Sequence, residues 1–499
     1  MSQSPGVLPR PLAGEEAAGS AGEQEYVVDT ALTRVVFSNR GGQIKALYLK
    51  EYRDKHHRPV NLVVDRAGGA FPLHLRSGSE RLDWQINFAN YQASSPRLQL
   101  SPSSPTGTLV LSYRNASGWE VVKSYHFKYN SYAMGLDISI RNLPQDEHWR
   151  VYQVLWGYGI PRNPSQDGGE LQPREPKLFL NDKLVKEEGN GSGQTKHYGN
   201  ISWVAIDNKY FVVALVPQQT FSTAVVEREG KERRAIGLEF VRESSTLSNR
   251  LQIYAGPKEI NMLKSQGAYL ERVIDYGWVD FLARPLLQIL KYFYQYLGNY
   301  GVAIILLTVL IKIAFSPLSH KSFKSMQSMQ RIQPKIKELQ ERYGNDRQKL
   351  NQEMMNLYRQ YKVNPLGGCL PMLLQIPVFF ALYYVLQDAI ELRKAPFFWW
   401  VQDLSEKDPY YIYPILMGIT MFIQQKMTPQ TGDPRQNQIM MFMPLIFTVL
   451  FLNFPAGLVI YWLVNNILTI GQQYTTMKLM GAAPAPSKVG SEQSKLQVK

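Results

Sequence analysis

The sequence has almost no cysteine and no recognisable catalytic motif. Cys369 is the single cysteine in 499 residues, which excludes a disulfide framework within the chain. No HExxH or GxSxG pattern occurs, and the pair His56-His57 lacks zinc-ligand spacing. The glycine-rich run 189–196 lacks the Gly-Lys-Ser/Thr ending of a phosphate loop, so we interpret it as a surface loop. We therefore expect no enzymatic activity, no metal and no cofactor.

Acidic residues are outnumbered by basic ones, and the formal net charge is +14. The excess is concentrated in residues 321–362, and the C-terminal tail adds further lysines. This distribution is typical of a chain with anionic lipid or nucleic acid as a neighbour. Of the two, we predict anionic lipids and no DNA.

Long apolar runs are absent from the first 295 residues and frequent after residue 297. Residues 1–23 are rich in Gly, Ala, Ser, Pro and Glu, lack the apolar core of a signal peptide and are predicted to be a disordered linker. Residues 24–256 have many β-branched and aromatic runs and no lasting helical period. This pattern predicts a water-soluble, all-β domain built as a large antiparallel sandwich.

Two hairpins illustrate the β pattern. Residues 26–37 (YVVDTALTRVVF) are predicted to form one strand that pairs with residues 44–49 across the turn Asn39-Arg40-Gly41-Gly42. Residues 121–129 and 134–140 repeat the arrangement around Asn130. Both pairs favour antiparallel sheets.

Residues 257–297 are predicted to contain a linker and an amphipathic helix. Leucines at 282, 286, 287 and 290 fall at helical spacing, polar residues fill the other face, and Trp and Tyr are frequent. This composition indicates a helix that lies at a membrane interface. The alternative is an ordinary helix that packs the two halves together.

Five apolar runs follow, at residues 298–316, 366–390, 411–427, 439–454 and 457–474. A bilayer span needs about 20 residues, so the shorter runs are at the lower limit. The positive-inside rule predicts that the basic loop 321–362 is cytoplasmic and that the more acidic loop 391–408 is external. With five spans, the β domain then lies outside and the C-terminal tail lies inside. The five spans and the hairpin form a core at residues 298–478. The basic tail 479–499 is predicted to be disordered.

The cytoplasmic loop has a helical apolar period that is interrupted at Gly344. We predict a helical hairpin over residues 319–364, with a basic, Met-rich surface. The alternative is a solvated hairpin whose positive charge only fixes the topology.

Polar residues interrupt the apolar runs at Thr308, Lys312, Gln375, Asn465 and elsewhere. A lysine at the centre of a spanning helix costs about 2.5–3.5 kcal/mol. Lys312 is about five residues, or ~7 Å, from the cytoplasmic end of its run and could snorkel there. Alternatively, polar residues from several spans share a hydrated cavity. The residues alone leave both interpretations open.

Four motifs resemble the YidC/Oxa1/Alb3 family of membrane protein insertases, in its Gram-negative YidC form. They are residues 362–371 (KVNPLGGCLP), 374–383 (LQIPVFFALY), 408–411 (DPYY) and 453–458 (NFPAGL). The resemblance is strong over about 270–478 and weaker in the β domain. It implies a five-helix transmembrane bundle with a cytoplasmic helical hairpin and a hydrophilic groove that is closed outside. It also implies a β-supersandwich in the periplasm.

The resemblance also implies residue roles and partners. Lys312, Thr308, Gln375, Trp462 and Asn465 match groove positions, and Leu370, Pro371, Ile376 and Pro377 match the face along which substrate helices slide. The implied partners are nascent membrane proteins, the ribosome and the Sec translocon, and the implied location is the bacterial inner membrane.

Two features depart from the family pattern. Lys312 replaces the usual arginine, so the charge remains but bidentate pairing with a carboxylate is lost. The usual first transmembrane helix has no counterpart, and we expect a truncated chain or a misassigned start.

We predict a non-enzymatic insertase and chaperone, which acts alone or with the Sec translocon. Two rivals are a transporter or channel, which would show internal repeats, and a carbohydrate enzyme in the β domain, which would need clustered carboxylates or histidines.

Overall fold

The structure is a computed structural model. It describes residues 22–54, 56–63, 71–142, 151–157, 175–189, 191–218, 223–229, 233–241, 247–344, 346–361, 370–427 and 434–479. Most of the segments predicted to be disordered, 1–23 and 479–499, lie outside the described residues, as do motif residues 362–369. The described residues fall into two compact units that divide between Asp275 and Tyr276.

The first unit consists mainly of strands. These are β1 (Glu25–Asp29), β2 (Thr33–Ser38), β3 (Gln43–Arg53), β4 (Pro59–Asn61), β5 (His74–Arg76), β6 (Gln92–Ala93), β7 (Arg97–Gln99), β8 (Thr106–Arg114), β9 (Glu120–Lys128), β10 (Ala133–Arg141), β11 (Val151–Trp156), β12 (Lys177–Leu180), β13 (Lys183–Lys186), β14 (Gly193–Tyr198), β15 (Ile201–Asp207), β16 (Phe211–Pro217), β17 (Thr223–Glu229), β18 (Arg233–Val241) and β19 (Leu247–Pro257). Two short helices, α1 (Glu80–Phe88) and α2 (Ile260–Ser265), and a 3-10 segment, Leu270–Val273, accompany them.

The strands form three sheets. A five-stranded sheet has the order β4-β3-β2-β1-β7, a nine-stranded sheet has the order β13-β12-β15-β16-β19-β10-β9-β8-β6, and a second five-stranded sheet has the order β14-β17-β18-β11-β5. The pairing is mainly antiparallel, and β1 and β7 pair in parallel. Large side chains such as Trp156 and Trp203 are fully buried in the core. The predicted all-β class is therefore confirmed for this unit.

The prediction of a single strand over residues 26–37 is wrong. The run folds into β1 and β2, because Thr30 makes a tight turn between them. The Thr30 backbone N–H donates to the Thr33 carbonyl at 2.9 Å, and the Thr30 hydroxyl accepts from the Thr33 N–H at 2.9 Å. The β-branched composition continues through this turn and conceals it. The predicted partner strand is confirmed, since β2 pairs with β3.

The other local predictions in this unit have mixed outcomes. The predicted pair at 121–129 and 134–140 is confirmed as β9 and β10, in which Tyr125 lies opposite Leu136. The surface-loop prediction for 189–196 is wrong for its second half, which belongs to β14. Pairing between β14 and β17 gives this glycine-rich sequence the backbone partners that a strand requires.

The second unit is helical. After a 3-10 segment, Gly277–Val279, its helices are α3 (Asp280–Leu297), α4 (Tyr300–Tyr343), α5 (Arg347–Gln360), α6 (Leu370–Asp388), α7 (Ile412–Met427), α8 (Pro434–Phe451) and α9 (Ala456–Leu479), with a further 3-10 segment at Ile390–Leu392. Among the described residues, Tyr300–Met326 alone combines the length and apolar character that a bilayer crossing requires. Leu373–Asp388 and Met441–Phe451 are shorter apolar helices.

The predicted amphipathic helix is present as α3. Its buried side chains include Leu286, Leu287 and Leu290, whereas Phe281 and Tyr296 are exposed. The buried side packs against α4 and α6. A position at the membrane interface stays a prediction.

Helix α4 is continuous through Pro317, so the first apolar run and the first arm of the predicted hairpin form one helix. It ends at Tyr343, and Asp346 caps α5 by accepting from the Lys349 backbone N–H at 3.0 Å. The two helices pack through a small apolar cluster that includes Ile332 and Ile336.

Candidate functional site

Helices α4 and α9 run side by side in parallel, and the contacts between them fix a common register. A Cβ atom on Gly457 would lie 3.2 Å from Ile304 Cδ1, the Lys312 ammonium donates to the Thr469 hydroxyl at 2.7 Å, and Gln472 Nε2 donates to Ser316 Oγ at 3.3 Å. The offset between paired residues is nearly constant. Residues paired in this way therefore lie at the same depth along the two helices, and we call this contact the α4–α9 seam.

Lys312 is the cation of the seam. Its ammonium reaches sideways to Thr469 at the same depth, rather than along α4 toward the end of the apolar run. In the part of the chain that the structure describes, its recorded polar partner is this hydroxyl, and no carboxylate pairs with it. The ammonium is therefore held at the contact between α4 and α9.

Thr308 lies one turn before Lys312 and is buried. Its hydroxyl donates to the Ile304 carbonyl at 2.7 Å. Since this bond lies within α4, the side chain meets its polar requirement locally. Thr308 thus shares the seam with Lys312 and does not contact the ammonium through a recorded bond.

Asn465 contributes its backbone carbonyl, which accepts a hydrogen bond from the Thr469 hydroxyl at 2.6 Å. The adjacent Asn466 is buried and donates to the Thr420 hydroxyl of α7 at 3.3 Å. Further along α9, Gln473 donates to the Met427 carbonyl at 2.7 Å. Helix α9 is therefore bonded to α4 on one side and to α7 on the other.

The sequence reasoning missed Thr469. Its signal was the spacing of polar residues along the last apolar run, since positions 465, 469, 472 and 476 fall at steps of four, three and four. This spacing places them on one face of a helix.

Trp462 lies on the same face of α9 as Thr469, seven residues or about two turns earlier. Its ring packs against three phenylalanines of α6 and α8, with centroid distances of 5.0 Å to Phe379, 6.1 Å to Phe447 and 5.4 Å to Phe451. The polar face of α9 that carries positions 465, 469, 472 and 476 therefore gives way to an aromatic cluster toward the start of the helix.

Gln375, the candidate on α6, lies beside the buried Tyr461 of α9. The candidates for the substrate face lie on the same helix. Ile376 is 41% exposed, and Pro377, inside α6, is half-buried. The side chains of Leu370 and Pro371 lie outside the described residues, although their backbone begins α6. The structure thus records an exposed apolar position at the expected place.

A hydrogen-bonded cap covers one end of the helices. Asp408, which is buried, accepts from the Trp400 indole N–H at 2.9 Å and from the Tyr413 backbone N–H at 2.8 Å. The Ala456 N–H donates to the Glu406 carbonyl at 2.7 Å. The loop between α6 and α7 is therefore bonded to the start of α9, close to the aromatic cluster of Trp462.

The β unit contains two buried carboxylates on its second five-stranded sheet. Glu227 pairs with Arg76 and accepts from Gln194 Nε2 at 2.6 Å, and Glu239 accepts from Gln153 Nε2 at 2.7 Å. These bonds satisfy both groups within the sheet, as in a structural polar network. Among the described residues, no three His, Cys, Asp or Glu side chains form a group that could hold a metal ion.

Comparisons with known proteins cover both units. Residues 292–483 match a family described as 60Kd inner membrane protein, and residues 25–289 match the YidC periplasmic domain. A membrane protein insertase YidC from Syntrophus aciditrophicus is 42% identical over 477 residues, which cover 93% of this chain and 87% of that protein. The protein of the same name from Geobacter metallireducens is 43% identical over 490 residues, covering 96% and 90%.

Among solved structures, a crystal structure of an active YidC insertase with its first transmembrane domain resolved aligns with this chain. The alignment covers 92% of this chain and 94% of that one, at 19% identity and a TM-score of 0.39.

Proposed function

The chain belongs to the YidC family of membrane protein insertases, and from that premise we propose that its substrates enter the bilayer beside the α4–α9 seam. The predicted family is confirmed by matches to both units. The β unit is the family's periplasmic domain, the helical unit belongs to the membrane, and the bacterial inner membrane is the location that the family indicates. Nascent membrane proteins are the substrates that insertase function implies.

We propose five spans, formed by the first part of α4 and by α6, α7, α8 and α9. The parallel course of α4 and α9 supports this arrangement, because both helices then start on one side of the membrane. Lysine and arginine asymmetry supports a cytoplasmic position for the hairpin 319–364 and an external position for the capped loop 391–408. The corresponding domains are 24–256 for the sandwich, 257–297 for the linker and interfacial helix, and 298–478 for the core.

The groove is proposed to be lined by Lys312, Thr308, Gln375, Trp462 and Asn465. The observation that carries this proposal is the sideways position of the Lys312 ammonium, bonded to Thr469 at 2.7 Å rather than directed to the end of α4. A snorkelling lysine would extend toward water at that end. A cation held between two helices instead favours a hydrated cavity.

The physical task of the groove is to carry a polar flank through hydrocarbon, where each unpaired polar group costs several kcal/mol. Water and Lys312 in the groove would lower that cost, and Lys312 would attract acidic residues. Partition of the apolar substrate helix into lipid supplies the driving force, so no ATP is needed. The cap around Asp408 would close the outer end of this path.

We propose that the substrate helix slides along Leu370, Pro371, Ile376 and Pro377 of α6. The exposure of Ile376 supports this role, because an apolar side chain facing lipid can exchange a lipid contact for a substrate contact at little cost. The basic hairpin is the proposed contact for the ribosome and anionic lipids. Cooperation with the Sec translocon is also proposed.

The experiment uses proteoliposomes that contain the purified chain and a short single-span substrate with an acidic flank. Lys312→Arg should retain insertion because the charge remains. Lys312→Ala should be impaired, and Lys312→Glu should fail, because it repels the flank that it must receive. The matched control is Lys183→Glu, the same charge change at an exposed residue of β13, which should leave insertion unchanged.

Equal insertion by the Lys312→Ala and Lys312→Glu variants, at the wild-type rate, would contradict a groove role for Lys312. Folding of each variant is checked by its melting temperature before the comparison.

A further inference from the structure

The ammonium of Lys312 carries three N–H donors, and the hydrogen bond to Thr469 uses one of them. The other two remain for water or for a carboxylate that arrives. The lysine side chain is a flexible four-carbon stem with a compact charge, so nothing in its own chemistry fixes where the charge lies.

Thr469 presents an acceptor of fixed direction. Its hydroxyl hydrogen is committed to the Asn465 carbonyl at 2.6 Å, a bond of the type that threonine commonly makes inside a helix. The oxygen lone pairs are therefore left facing Lys312. A hydroxyl held in this way can receive the ammonium at one place along the seam.

The helix that carries Thr469 is itself held on both sides. Gln472 donates to Ser316 of α4 at 3.3 Å, and Gln473 donates to the Met427 carbonyl of α7 at 2.7 Å. These bonds lie within about one turn of Thr469. The position of its hydroxyl is therefore set by two neighbouring helices and not by local backbone freedom.

We propose that Thr469 is the positioning residue that keeps the Lys312 ammonium within the seam, at the depth where an acidic substrate flank passes. Without the hydroxyl, the ammonium loses its recorded protein partner and the flexible stem turns toward water at the end of the apolar run. The charge then remains in the protein but is absent from the substrate path. This inference rests on the proposed function of Lys312.

The test compares two substrates that differ only in an acidic or a neutral flank, inserted by the full chain in proteoliposomes. Thr469→Val removes the hydroxyl and retains the shape of the side chain. It should lower insertion of the acidic-flanked substrate about tenfold, the lower end of the loss expected for one hydrogen bond to a charged group. Insertion of the neutral-flanked substrate should change less than about twofold by the same reasoning. Thr469→Ser should restore the wild-type ratio.

The matched control is Thr475→Val, two turns further along α9. The Thr475 side chain is exposed and its hydroxyl donates to the Gly471 carbonyl of its own helix. This variant should insert both substrates as the wild type does. Thr469→Ala provides a second variant without the hydroxyl, in case valine disturbs packing.

A test in the Lys312→Ala variant distinguishes a positioning role of Thr469 from a general role in packing. There, adding Thr469→Val should lower insertion no further, because the residue that it positions is gone. A further loss in this background, or a wild-type substrate ratio in Thr469→Val and Thr469→Ala, would overturn the inference.

If Lys312→Ala leaves insertion of the acidic-flanked substrate unchanged, the proposed role of Lys312 falls together with the inference. If Lys312→Ala impairs insertion and neither Thr469 variant does, the inference alone falls.

Discussion

Lys123, a buried base of the β unit, should make the stability of that unit rise with pH in the alkaline range. Its side chain is fully buried on β9, where the ammonium donates to the carbonyls of Gly41 at 2.7 Å and Leu73 at 3.1 Å. Burial lowers the pKa of Lys123 from 10.5 to about 7. In the unfolded chain the same group keeps its ordinary pKa near 10.4.

The sign and size of the effect follow from proton linkage. Between these two pKa values the unfolded state binds the proton and the folded state does not, so the free energy of unfolding rises with pH. From about pH 7.5 to about pH 9.5 the expected gain is about 2.5 kcal/mol, at roughly 1.36 kcal/mol per pH unit. Below about pH 7 both states are protonated, and this contribution becomes flat.

The perturbation is Lys123→Met, which removes the titrating group. The variant also leaves the Gly41 and Leu73 carbonyls without their donor, at a cost of about 1–3 kcal/mol each. That cost is the same at every pH, so the slope of unfolding free energy against pH is the quantity that identifies Lys123.

The assay is urea unfolding of residues 22–275, which form a compact unit with their own core, followed by tryptophan fluorescence at several pH values. The wild-type free energy of unfolding should rise by about 2.5 kcal/mol over the window, and the Lys123→Met line should be nearly flat. Lys183→Met, at an exposed lysine of β13, is the matched control and should keep the wild-type slope. Parallel lines for wild type and Lys123→Met would refute the reasoning.

Three further changes are predicted. Burial lowers the pKa of His74 from 6.5 to about 3, so the β unit should lose stability as pH falls below about 6.5. The His74→Phe variant should lose less stability over the same pH range, as measured by urea midpoints, and equal losses would contradict this prediction. Asp408→Ala removes the acceptor of three recorded hydrogen bonds and should speed proteolysis of the 389–411 loop, whereas unchanged cleavage would show that the cap does not depend on it. Gly418→Val would bring a Cβ atom within 2.0 Å of the Thr448 hydroxyl oxygen. This overpacking should lower the free energy of unfolding by about 1–3 kcal/mol, so the melting temperature in detergent should fall. Gly471→Ala, where a Cβ meets nothing within 4 Å, is its control, and similar melting temperatures for the two variants would contradict close α7–α8 packing.

Much of the fold was predictable because its signals are local. The composition of residues 24–256 predicted strands, and the last four apolar runs predicted helices of the second unit to within about five residues at each end. The first run predicted where α4 begins, but α4 continues past the end of that run to Tyr343. Errors arose where a local signal was hidden or was overruled by a distant partner. Thr30 makes a turn inside a β-branched run, and the glycine-rich segment becomes a strand because β17 lies beside it.

The candidate site shows the same limit. Lys312 could be found from the sequence, because a charge in an apolar run is conspicuous. Its partner Thr469 could not be assigned, because threonine is common in apolar helices and the pairing depends on the register of α4 against α9, which lie 157 residues apart at this contact. Snorkelling and groove positions for Lys312 differ only in that long-range contact.

The most direct test of the proposed insertion route is photocrosslinking from α6 to an arriving substrate. A photoreactive amino acid replaces Ile376, and a matched probe replaces Ile446, an exposed residue of α8. Stalled nascent chains of a single-span membrane protein are presented to the full chain in membranes. Strong crosslinks from position 376 and weak crosslinks from position 446 are the predicted result. Equal crosslinking from both positions, or crosslinks from position 446 alone, would contradict entry along α6.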